Sequence, residues 1–487
     1  MLQTVNRWAA PAALIAAGAW LLLQLAGTSW LFVRHDWAAV TFPYPLDYGE
    51  GPLLDQAVGL AQLENIYRPD LSAPPYRVAN YPPLFPLLQA PFAAIVGPAF
   101  WYGRAIAAAS ALAAALFIGL TLHTLTRDIL AAVVGGLLLL AFPYILHWSP
   151  LNRVDSLALG LSTAGLFVVA RWPHRRAGII AAALLLTAAI YTRQSYALAA
   201  PLASFVWLLR EPPRRRAFEL AGLVAGLGIA LLLLLLLVAG GGFFLHTVVA
   251  NVNPFFWGSV RYHVDEMVTH IWPLLGAAAV FALAGAVLRP AAWWLIAPYL
   301  LGAAASALTI GKTGSNVNYL FELCAALSLA AGAILGAAGR SRWLQALLCL
   351  GLALQVSVMA GWSRENYEGR VMDKIAQRDE IARLLDIVRE APGPVLADEY
   401  MGLVPLAGKR LQYQPFEFKQ LAEAGVWDEQ PFARQLDEHA FPVILIYDPP
   451  TWNSFGERWT GRQRLYISTG YRAAERLADT VVYRPPE

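Results

Sequence analysis

Two carboxylates three residues apart, Asp47 and Glu50, stand in the run Pro45-Leu46-Asp47-Tyr48-Gly49-Glu50-Gly51. Glycines on both sides of the second acid let the pair converge on one site. There it would deprotonate a hydroxyl or hold a divalent cation, Mg or Mn; the same pair also reads as two solvated loop acids. Cations recur further on: Arg104, Arg153 with Asp155 two residues later, Arg193 in Tyr191-Thr192-Arg193-Gln194-Ser195, and Lys312 in Gly311-Lys312-Thr313-Gly314-Ser315-Asn316-Val317-Asn318-Tyr319. Arg and Lys bind phosphate through charge-assisted hydrogen bonds. The glycines and hydroxyls around Lys312, with Asn316 and Tyr319, would let backbone N–H groups face a phosphate together with the ammonium. The run is not a Walker motif, because it lacks that spacing and the strand-to-helix setting. Plainer readings stand beside these. Arg153 and Asp155 would be a neutralising pair capping a helix, Arg193 a snorkelling residue at a helix end, and Glu322 a partner for Lys312 or Arg193.

The elements that must position these groups are set by hydropathy. The 487 residues are 58% hydrophobic and 14% charged, with mean hydropathy +0.49. A soluble domain carries about 25% charged residues, so this chain lacks the polar surface to stay in water. A net charge of +3, spread over short clusters between apolar runs, points away from a nucleic-acid partner. Cys324 and Cys349 both fall in apolar runs, which indicates neither a disulfide framework nor zinc spacing. The first apolar run, 9–33, is about twice the length of a signal-peptide core and reads as a retained helix.

Apolar runs long enough to span a bilayer number about eleven, near 9–33, 100–124, 129–148, 155–171, 178–193, 195–210, 218–241, 270–288, 291–310, 317–338 and 343–361. The positive-inside rule places the N-terminus in the cytoplasm. Arg171, Arg175, Arg176, Arg210, Arg214, Arg215, Arg216, Arg289, Arg340 and Arg342 then share the inner connections. Asp47, Glu50, Arg104, Arg153, Asp155, Arg193, Lys312 and Glu322 fall at or near outer helix ends. Cations there run against the rule, and a charge near a span costs roughly 2.5–3.5 kcal/mol at the helix centre, so something on that side requires positive charge. A lipid phosphate is the simplest candidate.

Two parts lie outside the bilayer in this reading. The first outer loop, 34–98, holds an amphipathic helix over 51–67, with Leu53, Leu54, Ala57, Val58 and Ala61 on one face and suited to the membrane surface. A second apolar stretch from Tyr81-Pro82-Pro83-Leu84 to Val96 is too short to span and reads as a juxtamembrane or re-entrant helix. The chain then divides into a membrane domain, 1–362, and a C-terminal extracytoplasmic α/β domain, 363–487. That domain opens with a charged helix over 370–390, with strand-like runs at 394–397, 443–447 and 480–483. The fold class is mainly α, a polytopic helical bundle. Phe255-Phe256-Trp257 reads as an interfacial anchor, and His147, His246 and His263 as structural or interfacial.

Taken together, these residues resemble the GT-C superfamily of polyprenyl-phosphate-sugar glycosyltransferases, of the protein O-mannosyltransferase and aminoarabinose-transferase type. The resemblance covers the whole layout and rests on the acidic motif of the first loop, Tyr81-Pro82-Pro83-Leu84, Arg104-Ala105-Ile106 and Arg153-Val154-Asp155. The chain departs from the family in the spacing Asp47-Tyr48-Gly49-Glu50 and in Asn80-Tyr81, where some members place a cation before Pro-Pro. The resemblance implies a catalytic base at Asp47 or Glu50. It also implies a polyprenyl-phosphate-linked sugar donor, a glycan, lipid or protein acceptor, and a bacterial plasma membrane. A transporter or flippase would instead carry charges near the midplane and inverted repeats, and neither is visible here. A non-catalytic subunit of envelope-polymer assembly would not depend on these charges for activity.

Overall fold

The computed structural model describes residues 2–251 and 253–486, with side chains from residue 9 onward. The apolar runs fold as α1 (Leu2–Thr41), α2 (Glu50–Ala61), α3 (Leu84–Val96), α4 (Trp101–Thr126), α5 (Ile129–Ala141), α6 (Pro143–Trp148), α7 (Asp155–Arg171) and α8 (Arg176–Ile190). There follow α9 (Ala199–Arg210), α10 (Arg215–Ala239), α11 (Gly242–Thr247), α12 (Trp257–Leu288), α13 (Trp293–Ala307), α14 (Phe321–Ala337) and α15 (Arg342–Ser363). Seven helical segments among the described residues are long and apolar enough to cross a membrane. The expected spans at 129–148, 155–171, 178–193 and 195–210 fall on the shorter helices α5 to α9, so the structure does not confirm the count of eleven full spans. The causes are local. Pro143 forces a break after Phe142, whose backbone is extended, and the polar stretches around Arg153 and Arg193 leave the helical conformation. In α12 the chain bends at Ile271, φ −132° and ψ 21°, two residues before Pro273.

The C-terminal end of α1, the N-terminal ends of α4, α7 and α14, and the C-terminal ends of α8 and α13 all meet at one end of this bundle. The arginine-bearing turns join the opposite ends. Against the first end sits a C-terminal α/β domain, reached through a helix that continues from α15 by a π turn at Arg364–Glu368 into α16 (Gly369–Ala376) and then α17 (Arg378–Glu390). Its four strands, β1 (Val395–Ala397), β2 (Val443–Tyr447), β3 (Arg472–Leu477) and β4 (Thr480–Arg484), form one sheet in the order β1-β2-β4-β3. The β1–β2 pair is parallel, with Val395 opposite Val443, and the other two pairs are antiparallel. Alternate residues face opposite ways. Val395, Ala397, Val443 and Leu445 share a core with Leu384 and Val388 of α17, while Leu396, Ile444 and Ile446 pack on Phe418, Trp427, Phe432 and Trp459.

The first loop is not free of this domain. Tyr76 pairs with Tyr413 in an isolated parallel bridge, and Asp55 is shared by Arg77, Arg410 and the Leu411 N–H. Helix α2 therefore differs from the expected surface helix. It ends at Ala61, and Glu50 through Ala57 are all buried, because the C-terminal domain covers the face that would have met water. Helix α3 keeps an apolar exposed face of Leu87, Leu88, Phe92, Ile95 and Val96, as a juxtamembrane helix should.

Candidate active site

The two acids of the first loop have different surroundings. Glu50 opens α2 and is fully buried. Arg104 of α4 donates to both its oxygens, Nε to Oε1 at 2.8 Å and Nη2 to Oε2 at 2.7 Å. The Asn152 and Leu46 N–H groups, each at 2.7 Å, complete its shell. Burial opposes its ionisation, yet Arg104 and these N–H donors outweigh that and hold the carboxyl below its usual value. Arg104 spends its remaining donors on the carbonyls of Ala39, Phe42 and Tyr44. Neither Glu50 nor Arg104 reaches open space; together they fasten the loop to the bundle.

Asp47 keeps 18% of its side chain exposed and faces Arg153, with Nη1 3.3 Å from Oδ1. The Gly49 N–H also donates to Oδ1, at 3.0 Å. Gly49 is needed here, because a Cβ at this position would fall 1.3 Å from Arg153 Nη1. Burial pushes the Asp47 carboxyl up, Arg153 opposes it, and Glu399 and Glu50 add to it.

On the other side of Arg153 opens a cavity of about 420 Å³, within the range of ~300–1,000 Å³ that holds small ligands. Arg153, Arg193, Lys312 and Tyr319 line it, with Tyr48, Tyr81, Gln194 and Ser195. Arg193 is paired with Asp155, lies 4.2 Å over the Tyr319 ring, and has a buried Nη2 without a hydrogen-bond partner. Asp155 is held in turn by Trp148 Nε1 at 2.7 Å and Asn318 Nδ2 at 3.1 Å, so it orients Arg193 from behind. Among the described residues the Lys312 ammonium has no ion-pair or hydrogen-bond partner. The Lys312 loop is fixed by backbone pairing with Phe255, which gives the Phe255 run a structural use besides anchoring. Asn316 is not on the cavity; its Oδ1 accepts from the Val317 N–H and caps the turn before α14. Glu322 lies below, in a small pocket with Arg193, Asn318 and Tyr319. Among the described residues no group of three or more His, Cys, Asp and Glu side chains is placed to share a metal ion.

No family model matches the chain, and no curated protein matches it. Among solved structures it is similar to ArnT from Cupriavidus metallidurans in the apo state, with a TM-score of 0.63 and 16% identity over 97% of this chain and 100% of that one. The same protein bound to undecaprenyl phosphate gives 0.60 and 15% over 96% and 99%. The archaeal oligosaccharyltransferase AglB from Archaeoglobus fulgidus, in complex with an inhibitory peptide and a dolichol-phosphate, gives 0.57 and 14% over 88% and 69%. The chain has the fold of ArnT. It is an integral membrane protein.

Within this ArnT-like bundle the cavity also takes residues that sequence reasoning passed over. Tyr48 and Tyr81 sit inside quoted motifs but carry no charge to mark them. Asn253, Gln414, Phe416 and Glu417 come from segments remote in sequence. His246 is buried and bonded on both sides, accepting from the Ala79 N–H at 2.9 Å and meeting Arg68 O at 2.8 Å; it is structural.

Proposed function

We propose that the chain is a membrane glycosyltransferase that moves a sugar from a polyprenyl-phosphate carrier to an acceptor hydroxyl on the outer face of the membrane. The observation that carries this reading is the cavity into which Arg153, Arg193 and Lys312 converge, with Asp47 directly behind Arg153. Three cations at the end of a membrane bundle suit a lipid phosphate whose charge grows as it departs. The acceptor oxygen attacks the anomeric carbon from the side opposite the phosphate, with inversion. The anomeric carbon–oxygen bond breaks, the electron pair leaves on polyprenyl phosphate, and the hydroxyl proton passes to Asp47. Arg193, held by Asp155 and Tyr319, and Lys312 take up the phosphate charge. Arg153 is shared between phosphate and Asp47, which keeps the base ionised while the carrier is bound. Glu50 fixes the loop and does not touch substrate.

The donor set does not suit Mg or Mn. Both Glu50 oxygens are occupied by Arg104 and backbone N–H groups, and the remaining acid, Asp47, faces a guanidinium. In this reading residues 1–362 bind the donor, residues 363–487 close the site from the extracytoplasmic side, and the N-terminus is cytoplasmic in a bacterial plasma membrane. The test is turnover by purified protein in nanodiscs with a panel of polyprenyl-phosphate sugars, with and without EDTA. Release of polyprenyl phosphate that survives EDTA is expected. Binding of no carrier would return the chain to the transporter class, and release that stops in EDTA would overturn the metal-free base.

A further inference from the structure

One acid on the cavity has no ion-pair partner among the described residues. Glu417 lies in the first turn of the helix Pro415–Glu423 of the C-terminal domain. The strand-like segment before it is stitched to the first loop. The Tyr76 N–H donates to Gln412 O at 2.7 Å, the Gln414 N–H to Tyr76 O at 3.2 Å, and the Val78 N–H to Gln414 Oε1 at 2.7 Å. These bonds fix where the helix starts and therefore where its first side chains point. The Phe416 ring stands 6.2 Å from the Tyr48 ring and against Gly314. It thus bridges the acid-bearing loop and the Lys312 loop. Glu417, next to it, lines the same cavity, and its Oε2 is buried with no hydrogen-bond partner.

Four neighbouring acids are engaged: Glu50 by Arg104, Asp47 by Arg153, Asp155 by Arg193, and Glu399 by Lys374 and Arg458. Glu417 has no cation within ion-pair distance among the described residues. Burial raises its carboxyl above the usual value, opposed by its own backbone N–H and, from farther off, by Arg153 and Arg458. A buried polar group left without a partner is costly, and a group on a cavity wall finds its partner in the ligand. Like charge keeps the lipid phosphate away from it, so the part of the ligand it meets is uncharged and hydroxyl-bearing.

We propose that Glu417 is a sugar-binding residue supplied by the C-terminal domain, accepting hydrogen bonds from hydroxyls of the sugar carried into the cavity on the lipid phosphate. The proposal rests on the glycosyltransferase reading and assigns the domain a direct part in donor selection.

The test compares two probes on the full-length protein in nanodiscs: bare polyprenyl phosphate, and the same carrier bearing glucose, mannose or galactose. Wild type is expected to bind at least one glycosylated carrier more tightly than the bare one. Glu417→Gln and Glu417→Ala are expected to leave the bare carrier within about twofold and to weaken the glycosylated carrier about tenfold, as loss of a charge-assisted hydrogen bond does. Thermal unfolding of Glu417→Gln should match wild type. Equal loss for both probes, no loss for either, or a rise confined to the acceptor KM would overturn the proposal. So would a wild type that binds bare and glycosylated carriers alike. A wild type that binds no carrier would overturn the glycosyltransferase reading itself.

Discussion

Arg104 spans both carboxylate oxygens of Glu50, at 2.8 and 2.7 Å, and neither side chain is exposed to solvent. The same guanidinium holds three carbonyls at the end of α1 and just beyond it. Two acids that look equivalent in sequence therefore divide the work. Glu50 is an anchor for the loop, and Asp47, three residues earlier, is carried on that anchored loop beside the cavity.

Breaking the anchor should cost stability before it costs chemistry. Removing one member of a buried ion pair leaves an uncompensated charge and costs about 3–5 kcal/mol. Arg104→Ala and Glu50→Ala are expected to lower the melting temperature in detergent sharply, while Asp47→Asn melts within a few degrees of wild type. An Arg104→Ala protein as stable as wild type would contradict the anchor.

The pH profile should report Asp47. A general base works deprotonated, so kcat/KM falls as pH drops through its pKa. Burial raises that pKa, which places the acid limb above the ordinary value of about 3.9. Arg153 pulls it down more than Lys374 does, so Arg153→Gln should move the limb to higher pH. A limb that stays in place or moves to lower pH in this variant would separate Asp47 from the rate.

Lys312 is the cation in the cavity with no protein partner among the described residues, so its removal should cost binding alone. Lys312→Met is expected to weaken polyprenyl phosphate roughly 10- to 100-fold, the scale of a hydrogen bond to a charged group, with an unchanged melting temperature. Arg193→Ala should lose both binding and stability, because it leaves Asp155 buried without its cation. Titration of the carrier by fluorescence quenching distinguishes the two.

Gly314 has φ +80°, and a Cβ there would lie 2.5 Å from Phe416 Cζ. Gly314→Ala should therefore push Phe416 off the cavity and lower kcat/KM at least tenfold without unfolding the bundle. Combined with Phe416→Ala the effect should be less than additive, since the two changes share one contact. Strict additivity in a double-mutant cycle would mean that the contact does not matter.

Much of this was legible in the residues. Unbroken apolar runs mark most of the helices, and the short apolar run at 443–447, covered on both faces, coincides with β2 end to end. The edge strand β3 was missed. Its sequence, Arg-Ala-Ala-Glu-Arg-Leu, has no apolar alternation, because most of it faces solvent. The charged helix over 370–390 was read as one but is two, α16 and α17, meeting at Gln377. For the site, charge placed against the positive-inside rule marked Arg153, Arg193 and Lys312, which do meet. It could not tell Glu50 from Asp47, since only the arrival of Arg104 from α4 separates them. Nor could it find Glu417, which reaches the cavity through a pairing between Tyr76 and Tyr413 that has no signature in either segment.

The most direct test of the account is the release of polyprenyl phosphate by Asp47→Asn protein, measured beside wild type in the same nanodiscs with a donor that wild type turns over. The account predicts a loss of at least a hundredfold in kcat, in line with removal of a general base, with carrier affinity and melting temperature retained. Turnover by Asp47→Asn at the wild-type rate would contradict the assignment of the base and with it the mechanism.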